Sequence, residues 1–336
     1  MQRIPFDEVH RQLTAVLIKL GFTADRAALS ARLFAETTRD GVYSHGVNRF
    51  LRFVAMIRNG SVDAAAGPRV VSRFGAMERW DGQRGPGNLN AYAAMERAIV
   101  LSREHGMGCV ALGNTNHWMR GGTYGWQAAD AGAIGICWTN TMPNVPPWGA
   151  SEPAIGNNPL VIAVPRAAGH VVLDIAISQF SLGAIEGYRK RGETLPVDGG
   201  FDTAGHLTRD PAAIEATQRM LPIGYWKGSG LAIMLDMMAA MLTAGSATHQ
   251  IDTDPLRETG LSQVFIAMQP AALGDQAELE RIADDVVASL HRARPVEGGR
   301  GVRFPGENTL RLREENLRLG LPVDPALWQE IVALGA

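Results

Sequence analysis

The segment GVYSHGVNRFLRF, from Gly41 to Phe53, brings a hydroxyl, an imidazole and two guanidiniums close together at Ser44, His45, Arg49 and Arg52. An imidazole titrates near neutrality, so it can give a proton to the oxygen of a carbonyl that is being reduced. A guanidinium is a planar fork that pairs with a carboxylate through two hydrogen bonds. These types together suit reduction of a keto acid, with His45 as proton donor and Arg49 on the acid group. If the segment enters a helix directly, His45, Arg49 and Arg52 or Phe53 share one face. At a solvated helix start the same residues would only make surface ion pairs, and spacing alone leaves both readings open.

A second polar cluster, GNTNHWMRGGTYGW (Gly113–Trp126), follows the β-like run CVAL. Loops at strand ends commonly line ligand crevices in α/β sheets, which makes His117 and Arg120 candidates for meeting a substrate. The third cluster, LPIGYWKGSG (Leu221–Gly230), is a glycine-rich turn with Lys227 ahead of the apolar stretch from Leu231 to Leu242. Free N–H groups at a helix start beside a lysine can seat a pyrophosphate; the same glycines can equally do no more than turn the chain. Asp174 in VVLDIAIS can hold a ribose hydroxyl and Asp198 in LPVDGGFD can orient an imidazole. A strand-ending and a turn-forming aspartate read equally well there.

Gly106-Met107-Gly108-Cys109-Val110-Ala111 has the letters of a dinucleotide-binding loop. That loop must follow a strand and open a helix, whereas this stretch follows a helical segment and opens a strand, so a Rossmann site is rejected. The eight histidines and two cysteines show neither HExxH nor zinc-type pairs, and no metal site is expected.

The elements that must position these groups follow from periodicity. Phe6, Val9, Leu13, Val16, Leu17 and Leu20 recur at helical spacing up to Gly21. Thr23 can cap a second helix ending near Asp40-Gly41, and a third runs to Asn59-Gly60. Beyond Pro68, short β-branched runs at 109–112, 133–138, 160–164, 171–175 and 264–268 alternate with helical stretches at 90–104 and 230–243. This is an α/β pattern, and the helical segment from about Thr309 can return to pack on the first helices. The expected division is a helical domain from residues 1–70 and 301–336 around a sheet domain at 71–300.

Composition narrows the function. With 336 residues, 46% hydrophobic and 20% charged, the chain can bury a large core, and 32 basic against 34 acidic residues give no basic excess for nucleic acid or an anionic membrane. The first residues contain no apolar core of signal-peptide length, and Asp236 interrupts the most apolar stretch, which is too short to span. A cytoplasmic location is expected, with Cys109 and Cys137 as buried reduced thiols.

YSHGVNRF, NTNHWMRGGTYGWQAA, IGICWTN, PPWGA, IGNNPL, LPVDGGFD and LPIGYWKGSG, long and in order from about residue 5 to the C-terminus, resemble the malate/L-lactate dehydrogenase family that lacks a Rossmann fold. The resemblance implies a central mixed-sheet cofactor domain, a helical domain from both chain ends, a homodimer, and reduction of a 2-keto acid with NADH preferred over NADPH. Carried over by motif, His45 is the proton donor, with Ser44 its neighbour and Asp198 near an aspartate paired with the histidine. Arg49 and His117 fall on the substrate, with Phe53 where some hydroxy-acid members have tyrosine. Thr141, the strand His170-Val171-Val172-Leu173-Asp174-Ile175-Ala176, Trp226-Lys227 and Gly306-Glu307-Asn308 fall on the family's cofactor segments. Within the family, HWMRGGTYGWQAA, CWTN and LPVDGGFD resemble members acting on a polyhydroxylated diketo acid, which Asn48, Asn116, Thr139, Asn140 and Asn144 are expected to contact. Other members of the family differ in substrate, and a regulatory nucleotide-binding protein is the non-enzymatic alternative.

Overall fold

The computed structural model describes residues 1–299 and 301–336. A short strand, β1 (Gln2–Ile4), precedes three helices, α1 (Phe6–Lys19), α2 (Ala24–Arg39) and α3 (Val47–Arg58). Their apolar stripes meet: Val9, Leu13 and Leu17 of α1 pack with Phe34 of α2 and Phe50 of α3 in one buried cluster. Gly21, at φ +92°, turns the chain between α1 and α2 in a conformation open to glycine.

The middle of the chain builds a sheet and its covering helices. In order these are β2 (Arg69–Phe74), β3 (Met77–Asp81), α4 (Gly87–His105), β4 (Met107–Asn116), α5 (Gly122–Asp130), β5 (Ile134–Thr139), β6 (Leu160–Val164) and β7 (Val171–Ile175). There follow α6 (Leu182–Arg191), the hairpin β8 (Gly200–Phe201) and β9 (Leu207–Thr208), α7 (Pro211–Thr217), α8 (Trp226–Thr243), β10 (Thr259–Met268) and α9 (Gln276–His291). Seven strands lie in the order β2-β3-β4-β10-β5-β6-β7, and only β3 and β4 run parallel. The sheet is therefore mixed, and the protein is α/β as its residue pattern predicts. Alternation along the strands feeds two cores: Val110 and Phe265 face α4 and α5, while Cys109 and Val264 face α8. Covering on both faces is why these strands read as continuous apolar runs.

Gly106 ends α4 in the left-handed region at φ +82° and hands the chain to β4, so the Rossmann-like letters close a helix and open a strand, as their context predicts. Both cysteines are buried and unpaired; burial pushes the Cys109 thiol up to about 11.

The chain then returns through α10 (Glu307–Leu319), β11 (Leu321–Val323) and α11 (Pro325–Gly335). β11 pairs antiparallel with β1, and Trp328 and Ile331 of α11 enter the same core as α1. The boundary expected at residue 300 falls on a residue outside those described. Among the described residues no helix is long and apolar enough to cross a membrane.

Candidate active site

Gly46 decides how the first cluster is presented. A Cβ there would collide with the Thr38 side chain, whose Oγ1 accepts the Val47 N–H at 2.8 Å. Gly46 adopts φ −92°, ψ −134°, and this non-helical break separates the 3₁₀ turn Tyr43–His45 from α3. The shared helix face predicted for His45 and Arg49 is therefore not formed: His45 precedes the break and Arg49 lies in the first turn of α3.

His45 meets His117, delivered from the loop after β4, in a near-parallel stack with centroids 5.7 Å apart and planes at 20°. Ser44 Oγ lies 2.8 Å from His45 Nδ1. The Met119 N–H donates to His117 Nδ1 at 3.0 Å. A neutral imidazole that accepts at Nδ1 carries its proton on Nε2, so His117 offers an N–H donor on its other edge. Burial, then the charges of Arg49, Arg120 and Arg52, push His45 down to about 4. Burial, Arg49, His45 and Arg52 hold His117 well below the usual histidine range. Two neutral rings thus sit in a positive field that an anionic ligand would offset, shifting His45 back upward from that depressed value.

The two histidines line a cleft of about 590 Å³, within the range of cofactor and ligand sites. Its other walls include Thr141, Val172, Leu173, Asp174 and Ala176, with Gly306 opposite β7. Gly306 is held at φ +94°, where a Cβ would press on Val172 at 3.2 Å, and the Pro305 carbonyl accepts the Val172 N–H at 2.8 Å. Asp174 faces the open cleft, with Oδ2 accepting the Gly122 N–H at 2.8 Å. The protein walls around it raise its carboxyl, against the pull of Arg120. Arg120 also lines the cleft; its Nη1 donates to Asp40 at 2.7 Å, while its buried Nε has no hydrogen-bond partner among the described residues.

Other residues expected here lie elsewhere. Phe53 is 1% exposed and packs against Phe22 and Phe34 in the helical core, which corrects its placement with the substrate. Asp198 is in the loop before β8 and does not line the cleft; Ser44 holds the imidazole edge that Asp198 was expected to orient. Arg49 is not in the cleft wall, although its charge reaches both imidazoles. Trp226 and Lys227 form the first turn of α8 and are solvent-exposed, away from the cleft. That helix begins earlier than predicted because Gly228 packs its backbone against Ile223, where any Cβ would clash.

Nor do Val171, Ile175, Glu307 and Asn308 line the cleft. Glu307 accepts the Phe304 N–H and pairs with His291, and Asn308 accepts from Arg311. His170 binds Arg166 and Asp130 with its two ring nitrogens. The polar residues expected along the substrate are largely committed within the protein. Asn116 donates to the Arg84 and Gly85 carbonyls, Thr139 to the Asn140 carbonyl, and Asn140 to Asp236, while Asn144 accepts from the Asn157 backbone. Among the described residues no group of three or more His, Cys, Asp or Glu side chains is placed to hold a metal ion.

Comparison with known proteins fits this architecture. The sequence profile described as malate/L-lactate dehydrogenase matches residues 4–332. The chain belongs to that family. Curated relatives include proteins named 2,3-diketo-L-gulonate reductase: one from Citrobacter koseri is 46% identical over 336 residues, covering 99% of this chain and 100% of the relative. Another from Escherichia coli K12 is 47% identical with the same coverage. Among solved structures, sulfolactate dehydrogenase from Methanocaldococcus jannaschii superposes with a TM-score of 0.92 at 27% identity, covering 99% of this chain and 96% of that one. The delta1-piperideine-2-carboxylate reductase from Pseudomonas syringae pvar. tomato superposes with a TM-score of 0.88 at 28% identity, covering 99% and 100%. The family and these relatives are dehydrogenases and reductases, and the chain is an oxidoreductase of the family.

Proposed function

We propose that the chain reduces the 2-keto group of 2,3-diketo-L-gulonate to a 2-hydroxy acid, using NADH, with His45 as proton donor. The observation that carries this reading is the stacked His45–His117 pair lining a cleft that continues along β7. The substrate is drawn from the whole-length likeness to reductases of that name.

The cleft fits a nicotinamide cofactor on its own terms: a buried guanidinium nitrogen without a partner on Arg120, an open carboxylate on Asp174, and a glycine at Gly306 that lets the opposite backbone approach. Asp174 can accept from a ribose hydroxyl and would repel a phosphate ester there, favouring NADH. When bound, the reduced nicotinamide supplies a hydride to the carbonyl carbon. His117 donates its Nε2–H to the substrate oxygen. Arg49 adds the positive field that draws in the carboxylate. With that anion in place His45 takes up a proton, its Nδ1 edge held by Ser44, and Nε2 delivers it to the carbonyl oxygen as negative charge develops. In the reverse direction neutral His45 removes the hydroxyl proton.

The test is a panel of 2-keto acids with NADH consumption followed by absorbance. We expect kcat/KM for the diketo sugar acid to exceed that for pyruvate and oxaloacetate, and NADH to outperform NADPH. Equal or better turnover of pyruvate or oxaloacetate would overturn the substrate and leave the hydride transfer standing. Silence across the panel with NADH still bound would instead favour a regulatory nucleotide-binding protein.

The proposed working unit is a cytoplasmic homodimer, with residues 1–70 and 301–336 forming the helical domain and the intervening residues the cofactor domain. Support for pairing comes from α8, which leaves Ile233, Met234, Met237, Met238 and Met241 38–76% exposed along one helix. An apolar surface of this kind on a folded chain marks an interaction site. Light scattering at micromolar concentration should return twice the chain mass, and a monomer would refute the dimer.

A further inference from the structure

The residues that follow β4 are anchored in different parts of the protein. His117 lines the cleft, Trp118 is 1% exposed in the sheet core against Tyr124 and Phe265, Met119 enters the helical core, and Arg120 pairs with Asp40. Met119 is also held at φ +67°, in the left-handed region that strains a residue with a Cβ. Such a backbone persists only where its surroundings over-determine it. The peptide that joins Trp118 to Met119 is held at both ends: its N–H donates to His117 Nδ1 at 3.0 Å, and its carbonyl oxygen accepts the Tyr124 hydroxyl at 2.5 Å. That hydroxyl has a single proton to give, and the Asn88 carbonyl, at 3.4 Å, competes for it weakly. Tyr124 stands in the first turn of α5, 1% exposed, and does not line the cleft. Burial, then Cys137, holds its pKa well above the usual phenol range, so the group remains a donor.

Rotating the Trp118–Met119 peptide toward negative φ at Met119 would relieve the strain and turn its N–H away from His117. A full flip brings the carbonyl oxygen to the side where the N–H stood, because the two groups of a planar trans peptide point in opposite directions. An oxygen facing Nδ1 favours a proton on that nitrogen and leaves Nε2 bare, able only to accept. In that form His117 gives no hydrogen bond to the oxygen of a keto group. We propose that Tyr124 is a positioning residue: its hydroxyl holds the strained Trp118–Met119 peptide so that the Met119 N–H stays on His117 Nδ1 and the imidazole proton stays on Nε2, available to the substrate oxygen. This role rests on the reading above, in which His117 donates to the substrate.

Tyr124→Phe removes the hydroxyl and keeps the ring in its packing. It should lower kcat/KM for keto-acid reduction by about tenfold in the parent, within the range of couplings along one hydrogen-bond chain, and by less than about twofold once His117 is already alanine. A loss of packing alone would cost the same in both backgrounds, and that result would overturn the assignment. A second readout needs no turnover. With isotopically labelled histidine, nuclear magnetic resonance of the two ring nitrogens of His117, assigned by their absence from His117→Ala, should place the proton on Nε2 in the parent. In Tyr124→Phe a share of it should move to Nδ1. A parent protonated on Nδ1, or a spectrum unchanged in the variant, would overturn the role of Tyr124. Should Tyr124→Phe not fold, Met119→Ala frees the same peptide from the helical core and is read by the same two measurements; an unchanged spectrum there would break the relay through which Tyr124 acts. If His117→Ala turns over at the parental rate, the part given to His117 in the reaction fails and this role with it. If no 2-keto acid is reduced, the functional reading fails, and the spectra alone decide whether Tyr124 sets the tautomer.

Discussion

Replacing His45 by alanine should lower kcat for keto-acid reduction by about 10²-fold or more while NADH still binds, because a positioned general acid supplies about 10²–10⁴ of the rate. The pH profile sharpens the expectation. His45 is held down to about 4 in the free protein, so its protonated form is scarce at neutrality. For reduction, kcat/KM should fall about tenfold per pH unit as pH rises above that value, since the active form of the free protein is the protonated one. For oxidation of the hydroxy acid, the neutral ring is required, and this limb should be flat at neutrality and lost as pH falls toward 4. Both dependences should disappear in His45→Ala. Near-normal turnover in the variant, or a retained reductive limb, would remove His45 from the proton-transfer role.

The largest effect on stability is expected at Asp40→Asn. Asp40 is 3% exposed and joins three arginines: Arg39 and Arg313 each contact it at 2.8–2.9 Å, and Arg120 at 2.7 Å. Arg120 is itself only 6% exposed and sits where the cleft wall meets the helical region. An asparagine leaves that guanidinium buried without its counter-charge, a change that typically costs about 3–5 kcal/mol. Urea denaturation should show the loss, and a variant within about 0.5 kcal/mol of the parent, the range of ordinary surface changes, would contradict it. The sign with pH follows from the carboxyl being held well below its ordinary value by these arginines. The stability Asp40 contributes is present above the unfolded carboxylate pKa and is lost as pH falls through and below that range. The variant should therefore lose less stability on acidification than the parent.

What could be read in the residues follows physical lines. The runs at 160–164 and 171–175 coincide with β6 and β7 because branched apolar residues dominate both, even though Asp174 of β7 opens onto the cleft. β2 escaped because every residue of RVVSRF is exposed and no alternation marks a buried face. The first half of β10, TGLSQ, escaped for the opposite reason. Ser262 and Gln263 are fully buried yet polar, tied to Asn140 and Asn116 across the sheet. Such partners are distant in sequence and leave no local pattern. The same holds at the site. His45 and His117 stood out by residue type, whereas Asp40 looked like no more than a helix end, and its role exists only once Arg120 and Arg313 arrive from far along the chain. Phe53 was misplaced because similarity to a motif assigns a position and says nothing of which way the side chain turns once Gly46 has broken the helix.

The pairing of β1 with β11 has a consequence for the order in which the protein is made. His45 leaves the ribosome early, but the core that holds its helices also contains Leu321, Val323, Trp328 and Ile331. Synthesis at about 5–20 residues per second puts an interval on the order of tens of seconds between the two. During that time α1 to α3 lack part of their packing surface, while the sheet, whose strands all lie between them, can already assemble. The segment from Leu321 to Ile331, made long after His45, thus completes the core behind the helices that hold it, and a chain stopped short of β11 would carry a formed sheet beside an unfinished His45 turn.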